Sequence, residues 1–335
     1  MINVRKIVVL IFCGLLGLTS ISLSAGDEWV RKADMPTARL DLSTVAVNGK
    51  VYAIGGTSRA NGQPLSTVEE YNPGTNKWVK KSDMPTARVA LSASAVNGKV
   101  YAIGGSPDVA NPISVVEEYD PSTNKWRKRA DMPTPRWGLS TSVVEGKVYA
   151  IGGAQGVKPL SAVEEYDPTT DKWTKKADMP TARWYLSTSV VEGKIYAIGG
   201  TPDDRKTIFS IVEVYDPATD TWMRKADMSS PRSGLSTSVA YGKIYAIGGE
   251  IRAMVSTPTV QEYDPVQDMW VLKTDMQTAR VTLSTSTVKG KIYAIGGMNL
   301  PILDGISIVE EYTPPFSVSP QGKLATTWGE VKLER

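Results

Sequence analysis

Six copies of one block of about 48 residues fill most of this 335-residue chain. Each copy closes an apolar run with Tyr-Ala-Ile-Gly-Gly, which places glycine pairs at 55–56, 104–105, 152–153, 199–200, 248–249 and 296–297. A tryptophan follows in the first five copies (Trp78, Trp126, Trp173, Trp222 and Trp270), and Trp29 stands ahead of the first block. A unit this short cannot bury its own apolar face, so neighbouring units must stack on one another. Length alone would suggest two domains, but six equal units argue for one closed ring.

The second copy shows what a unit is. Val89 to Val96 is small and apolar and reads as a first strand, A. Asn97-Gly98 is a two-residue hairpin turn of the kind that needs positive φ. Lys99 to Ile103 is strand B, and after a loop Val116 to Tyr119 is strand C. Asp120-Pro121-Ser122-Thr123 is a turn with proline pre-setting φ, and Lys125 to Lys128 is strand D, carrying Trp126. Four antiparallel strands per unit make one propeller blade. The chain enters with a strand D that lacks its A, B and C, and leaves after Tyr312 with a strand C that lacks its D. Residues 27–33 are therefore expected to complete the last blade from the opposite terminus and remove its open edge. The fold class expected is all-β, a six-bladed β-propeller of four-stranded antiparallel blades closed by an N-terminal strand.

A glycine pair, then a tyrosine, then a tryptophan at these spacings resembles the kelch family, over residues 27 to about 313. That resemblance implies a propeller. It leaves the activity open, because kelch propellers include enzymes, receptors and scaffolds.

Residues 1–25 read as a signal peptide, with Arg5 and Lys6 as the positive start, Ile7 to Leu18 as the apolar run and Ser22-Leu23-Ser24-Ala25 before cleavage. The expected organisation is this leader, a propeller over 26–313 and a C-terminal tail over 314–335. An exported protein, periplasmic or extracellular, is expected, with no transmembrane segment in the mature chain. Removing Arg5 and Lys6 from 38 basic side chains leaves 36 against 35 acidic ones, a net +1, which gives no nucleic-acid footprint. The only cysteine, Cys13, lies in the leader, so packing and strand closure must carry stability. The chain has no histidine. That excludes histidine-ligated metal sites, Ser-His-Asp triads and a galactose-oxidase type of copper site. No cofactor and no metal are expected.

Positions constant across the copies have structural explanations. The tryptophans are expected to pack between blades, each contributing roughly 3–5 kcal/mol. A serine recurs in strand A (Ser43, Ser92, Ser140, Ser187, Ser236 and Ser284), where blades crowd at the axis. An arginine also recurs: Arg39, Arg88, Arg136, Arg183, Arg232 and Arg280. Strand C carries acids at matching positions, Glu69, Glu117, Glu164, Glu213 and Glu310, which suggests blade-to-blade ion pairs. The other role for six arginines is a cationic ring that draws in anions. The fifth copy has Gln261 in place of the acid, which leaves Arg232 without its carboxylate.

Function must be read where the copies differ. Strands alternate up and down, so the A–B and C–D turns share one face and the D–A connections and B–C loops share the other. The first face is nearly constant. The B–C loops vary, with 11, 10, 9, 11, 10 and 11 residues, and loops over a fixed scaffold are where binding usually resides. The two residues after each arginine also vary: Leu40-Asp41, Val89-Ala90, Trp137-Gly138, Trp184-Tyr185, Ser233-Gly234 and Val281-Thr282. Trp137, Trp184 and Tyr185 suit stacking on a sugar or another flat ligand, and they suit inter-blade packing equally. Polar candidates on the same face are Asp203, Asp204 and Arg205 of blade four and Glu250 and Arg252 of blade five.

The favoured reading is a monomeric binding module that recognises a carbohydrate or a protein on this face. Some exported bacterial kelch propellers are sialic-acid mutarotases, and similarity to them implies an alternative, an enzyme on a sugar acid. There Glu250 or Asp204 would move the proton, and Arg252, Arg205 or Arg232 would hold the acid. A scaffold in a surface assembly is the third reading.

Overall fold

The computed structural model describes residues 26–59, 62–108, 111–203 and 207–315. The leader, all of the tail beyond Pro315, Asp204 and Arg205 lie outside the described residues.

Six four-stranded antiparallel sheets form the blades. Strand A of blades one to six is Ser43–Val47, Ser92–Val96, Ser140–Val144, Ser187–Val191, Ser236–Ala240 and Ser284–Val288. The Asn48-Gly49 turn holds both residues at positive φ, 50° and 73°, as a tight hairpin requires. The last blade is made from both ends of the chain. Glu28–Arg31 pairs with Val309–Thr313, with Trp29 opposite Tyr312. Trp29 is buried and stacks on Tyr312 at 4.9 Å, so the closing strand is held by its side chain as well as by its ladder.

The apolar core lies in the seams between blades. Tyr52, Ile54 and Val68 of blade one pack with Leu91, Val100 and Tyr119 of blade two, and the same set recurs around the ring. Each strand D tryptophan indole donates to a backbone carbonyl of the preceding D–A connection, as Trp126 does to Ser82 at 3.0 Å and Trp29 to Thr274 at 2.9 Å. The other five are only half-buried, unlike Trp29. The glycine pairs let these seams close. A Cβ on Gly55 would sit 2.8 Å from the Arg88 carbonyl oxygen, and one on Gly56 would sit 2.6 Å from that of Leu40.

Hydroxyl groups tie the inner strands together. Ser92 Oγ accepts from Thr141 N at 3.0 Å and lies 2.8 Å from Thr141 Oγ1, and blades three to six and back to one repeat the contact. One seam departs. Ala93 and Val45 stand where the other seams have a threonine and a serine, so between blades one and two only the Ser43 Oγ bond to Ala93 N remains. The polar donor and its partner are replaced together, so the substitution strands no hydroxyl at that seam.

The arginine expectation needs correction. All six guanidinium groups are fully buried, so they form no cationic ring. Five pair with their glutamates at 2.6–2.9 Å, and both partners of each pair belong to the same repeat. The seam is crossed by the backbone instead: the Arg88 carbonyl accepts from Gly56 N of blade one at 2.9 Å, while its side chain bonds Ala102, Val115 and Glu117 of blade two. Burial without a carboxylate would leave the charge costly, which is why carbonyl oxygens also surround it.

Candidate functional site

The start of strand A in each blade surrounds the ring axis on the D–A and B–C face. Six backbone hydrogen bonds close a ring there. Ala90 N donates to Asp41 O, Gly138 N to Ala90 O, Tyr185 N to Gly138 O, Gly234 N to Tyr185 O, Thr282 N to Gly234 O and Asp41 N to Thr282 O, all at 2.7–3.2 Å. Every residue of this ring has positive φ, between 49° and 61°. Glycine adopts that conformation freely, and Gly138 and Gly234 use it. Asp41, Ala90, Tyr185 and Thr282 hold it at a cost of about 1–2 kcal/mol each. The ring opens onto a cavity of about 160 Å³ at the channel mouth. Its wall is polar: the Ser and Thr hydroxyls of strand A line it below Asp41, Tyr185 and Thr282. Thr282 is 5% exposed, and its Oγ1 has no hydrogen-bond partner among the described residues.

The three aromatics expected on sequence grounds do come together. Trp137 and Trp184 meet edge to face at 4.6 Å, Trp184 and Tyr185 stack at 5.3 Å, and Trp137 and Tyr185 are 5.7 Å apart. Their roles diverge. Trp137 and Trp184 are 7% and 4% exposed and form a cluster with Val89, Ala90 and Ala154, so the packing role describes both indoles. Their N–H groups are also spent, on Gly156 O at 2.9 Å and Asp203 O at 3.2 Å. Only Tyr185 is half-exposed and lines the channel mouth.

The polar candidates scatter. Asp203 is half-buried, and its carboxylate accepts from Thr207 N at 2.9 Å, which shapes the blade-four loop. Glu250 is buried, with Oε1 accepting from Met254 N at 2.8 Å, and its backbone pairs with that of Ser233, next to Gly234 of the ring. It begins a short ribbon, Glu250–Arg252 with Val255–Ser256, where the sequence suggested only a loop. Arg252 is exposed on that ribbon.

Arg232 is withdrawn from any surface role. It is fully buried, and Gln261 has turned away to Ser229 and Ser230. The guanidinium bonds Thr259 Oγ1 at 2.6 Å and Thr259 O at 2.7 Å instead. Burial pushes its pKa down to about 10, with the Asp275 charge opposing, so it stays a cation at neutral pH.

Sequence reasoning recorded Asp41 and Thr282 as variable but did not select them. The signal that marks them is position: each stands second after a repeat arginine, where two other copies have glycine. Tyr241 was passed over altogether. It is 55% exposed at φ 51° in a turn where other copies have Asn, Glu or Lys, on the face that otherwise hardly varies.

The family model described as the KLHDC2/KLHL20/DRC7 kelch-repeats domain matches residues 41–249. The chain belongs to the kelch-repeat family. A second kelch motif model matches residues 231–277, across the fifth repeat. The F-box/kelch-repeat protein At1g67480 of Arabidopsis thaliana is 43% identical over 49 residues, about one repeat, which is 15% of this chain and 13% of that protein. Among solved structures, that of YjhT superposes with a TM-score of 0.72 at 16% identity, covering 83% of this chain and 96% of the other. That likeness is one of fold. Among the described residues no helix is long and apolar enough to cross a membrane, and no group of three or more acidic residues could hold a metal ion.

Proposed function

We propose that this kelch propeller is an exported binding module that receives one polar group of a carbohydrate or protein at the channel mouth of the D–A and B–C face. The observation that carries the reading is the strained ring. Glycine would relieve the backbone at Asp41, Tyr185 and Thr282, yet an acid, an aromatic and a hydroxyl are kept there, around a cavity. Side chains retained against a backbone penalty are a mark of functional positions. A cavity of about 160 Å³ is smaller than the roughly 300–1,000 Å³ of pockets that enclose a drug-sized ligand. It suits a single inserted group, such as one face of a sugar or one side chain of a partner. Tyr185 supplies an apolar ring, and Asp41 and the strand A hydroxyls supply hydrogen bonds.

The test is thermal shift of the mature protein, residues 26–335, against sugars that include sialic acids, with Tyr185→Ala and Asp41→Ala beside it. A stabilising sugar whose effect is lost in both variants supports the reading. Pull-down of a protein partner that depends on the same two residues supports it with a protein ligand. A ligand unaffected by either substitution places the site elsewhere.

A second, enzymatic reading assigns the proton transfer to Glu250, a buried carboxylate whose backbone pairs with Ser233 next to the ring. NMR exchange between the anomers of any bound sugar acid separates the two, because a pure binder leaves that rate unchanged.

A further inference from the structure

The opposite face, almost constant in sequence, has one blade built differently. The third residue of strand C is an acid in five blades: Glu70, Glu118, Glu165, Glu262 and Glu311. Each sits between a buried tyrosine of strand B and a cation after strand D's tryptophan. Tyrosine hydroxyls donate to Glu70, Glu165, Glu262 and Glu311 at 2.6–2.8 Å. Lysines or an arginine pair with all five at 3.0–3.2 Å.

Blade four has Val214 at this position. Its tyrosine and cation keep their places as Tyr196 and Lys225. Among the described residues, neither the Tyr196 hydroxyl nor the Lys225 ammonium has a hydrogen bond or ion pair. The two line a groove of about 360 Å³ with Val214, Met223, and Pro265 of the next blade, and with Glu192 and an ion pair of Lys194 with Asp216 at 3.0 Å. The corresponding groove one blade back is similar in size, about 320 Å³, but it holds Glu165 between Tyr149 and Lys176. Space is thus common to both, and the missing carboxylate is the difference. Asp268 lies near enough to feel the Lys225 charge, but its Oδ1 is committed to Tyr263 and Ala226 N.

We propose that the blade-four groove binds a carboxylate, which takes the place of the absent glutamate between the Tyr196 hydroxyl and the Lys225 ammonium. Four copies of the same repeat show the geometry such a group finds there. A hydroxyl donor and an ammonium on either side of Val214 can give a carboxylate a charge-assisted pair of bonds, about twice as strong as neutral ones. The carboxylate can belong to a small free acid or to an acidic side chain of a protein. The exposed Met223 and Val266 beside the groove would add apolar contact to the latter.

The experiment is an NMR titration of the full chain, following the side-chain methyl of Met223, which lines this groove. Propionate is the probe, and neutral propionamide is its control. The expected result is a saturable shift with propionate and none with propionamide, lost in Lys225→Ala. Val214→Glu should also abolish it and raise the melting temperature, because the protein then supplies its own carboxylate. An N-acetylated glutamyl-leucyl peptide amide binding at least tenfold tighter than propionate would assign the natural source to a protein side chain. Equal affinity would assign it to a small acid. A shift that persists in Val214→Glu or Lys225→Ala, or one that propionamide matches, overturns the proposal, as does the absence of any shift. Lys225→Ala removes only an unpaired side chain, so it keeps the test decisive should Val214→Glu fold poorly.

Discussion

Burial decides what a single residue contributes in this ring. Arg183 is fully buried against Glu213 at 2.6 Å. Glu213→Gln leaves that cation without its carboxylate and is expected to cost about 3–5 kcal/mol in chemical denaturation. Blade five shows how the fold tolerates such a loss, since Thr259 there hydrogen-bonds Arg232. Ile211 occupies the matching position in blade four, so adding Ile211→Thr should recover part of the loss. A double variant no more stable than the single one would mean that Thr259 does not compensate. Thr282 poses the reverse case. Its backbone is left-handed and its hydroxyl is buried without a partner among the described residues. Thr282→Gly is expected to stabilise the fold by about 1 kcal/mol in the same assay, once relief of strain is set against the added freedom of the unfolded chain. Weaker binding of the ligand in that variant would place the hydroxyl at the site, as a trade of stability against function predicts.

At the scale of the strand, the tyrosine, glutamate and lysine set links blades one, three and six to pH. Burial alone would raise the pKa of Glu70, Glu165 and Glu311, but hydrogen bonds from Lys50, Lys147 and Lys291, with those from the neighbouring tyrosines and lysines, outweigh it and lower all three. A lowered folded-state pKa means the unfolded chain takes up protons first as pH falls. The stabilisation is therefore complete above the ordinary glutamate value of 4.5 and is lost as pH drops through the lower folded-state values. Melting temperature should hold from neutrality to about pH 5 and fall steeply by about pH 3. A melting temperature flat across that window would count against these sets as stabilising elements. The sequence repeats these glutamates in five of the six copies. It did not reveal the tyrosine partner, because residues paired across strands B and C are far apart in the chain and meet only through register.

At the scale of the molecule, the ring depends on four residues from its beginning. Glu28–Arg31 supplies the outer strand of the last blade, and Asp27 caps it by accepting from the Tyr312 hydroxyl at 2.6 Å and Thr274 N at 3.0 Å. Deleting residues 27–33 exposes the edge of strand C and uncovers Tyr312. The deletion variant is expected to unfold or aggregate, read by size-exclusion chromatography and thermal melting. A monomer with unchanged melting would show that closure is dispensable.

The sequence by itself determined the blade count, the strand order and the closure. These follow from periodicities that repeat six times, so every local signal is reinforced by its copies. It also grouped Trp137, Trp184 and Tyr185 correctly, since adjacent repeats are adjacent in space. Only the tertiary structure decided which of the three reaches solvent, because burial depends on what the neighbouring blade places over each ring. It likewise decided that the arginines face inward, that Arg232 finds Thr259 rather than a ligand, and that Val214 leaves a tyrosine and a lysine facing an open groove. A repeat states what each position holds, but the charges and cavities around it are set by contacts across seams that no single repeat contains.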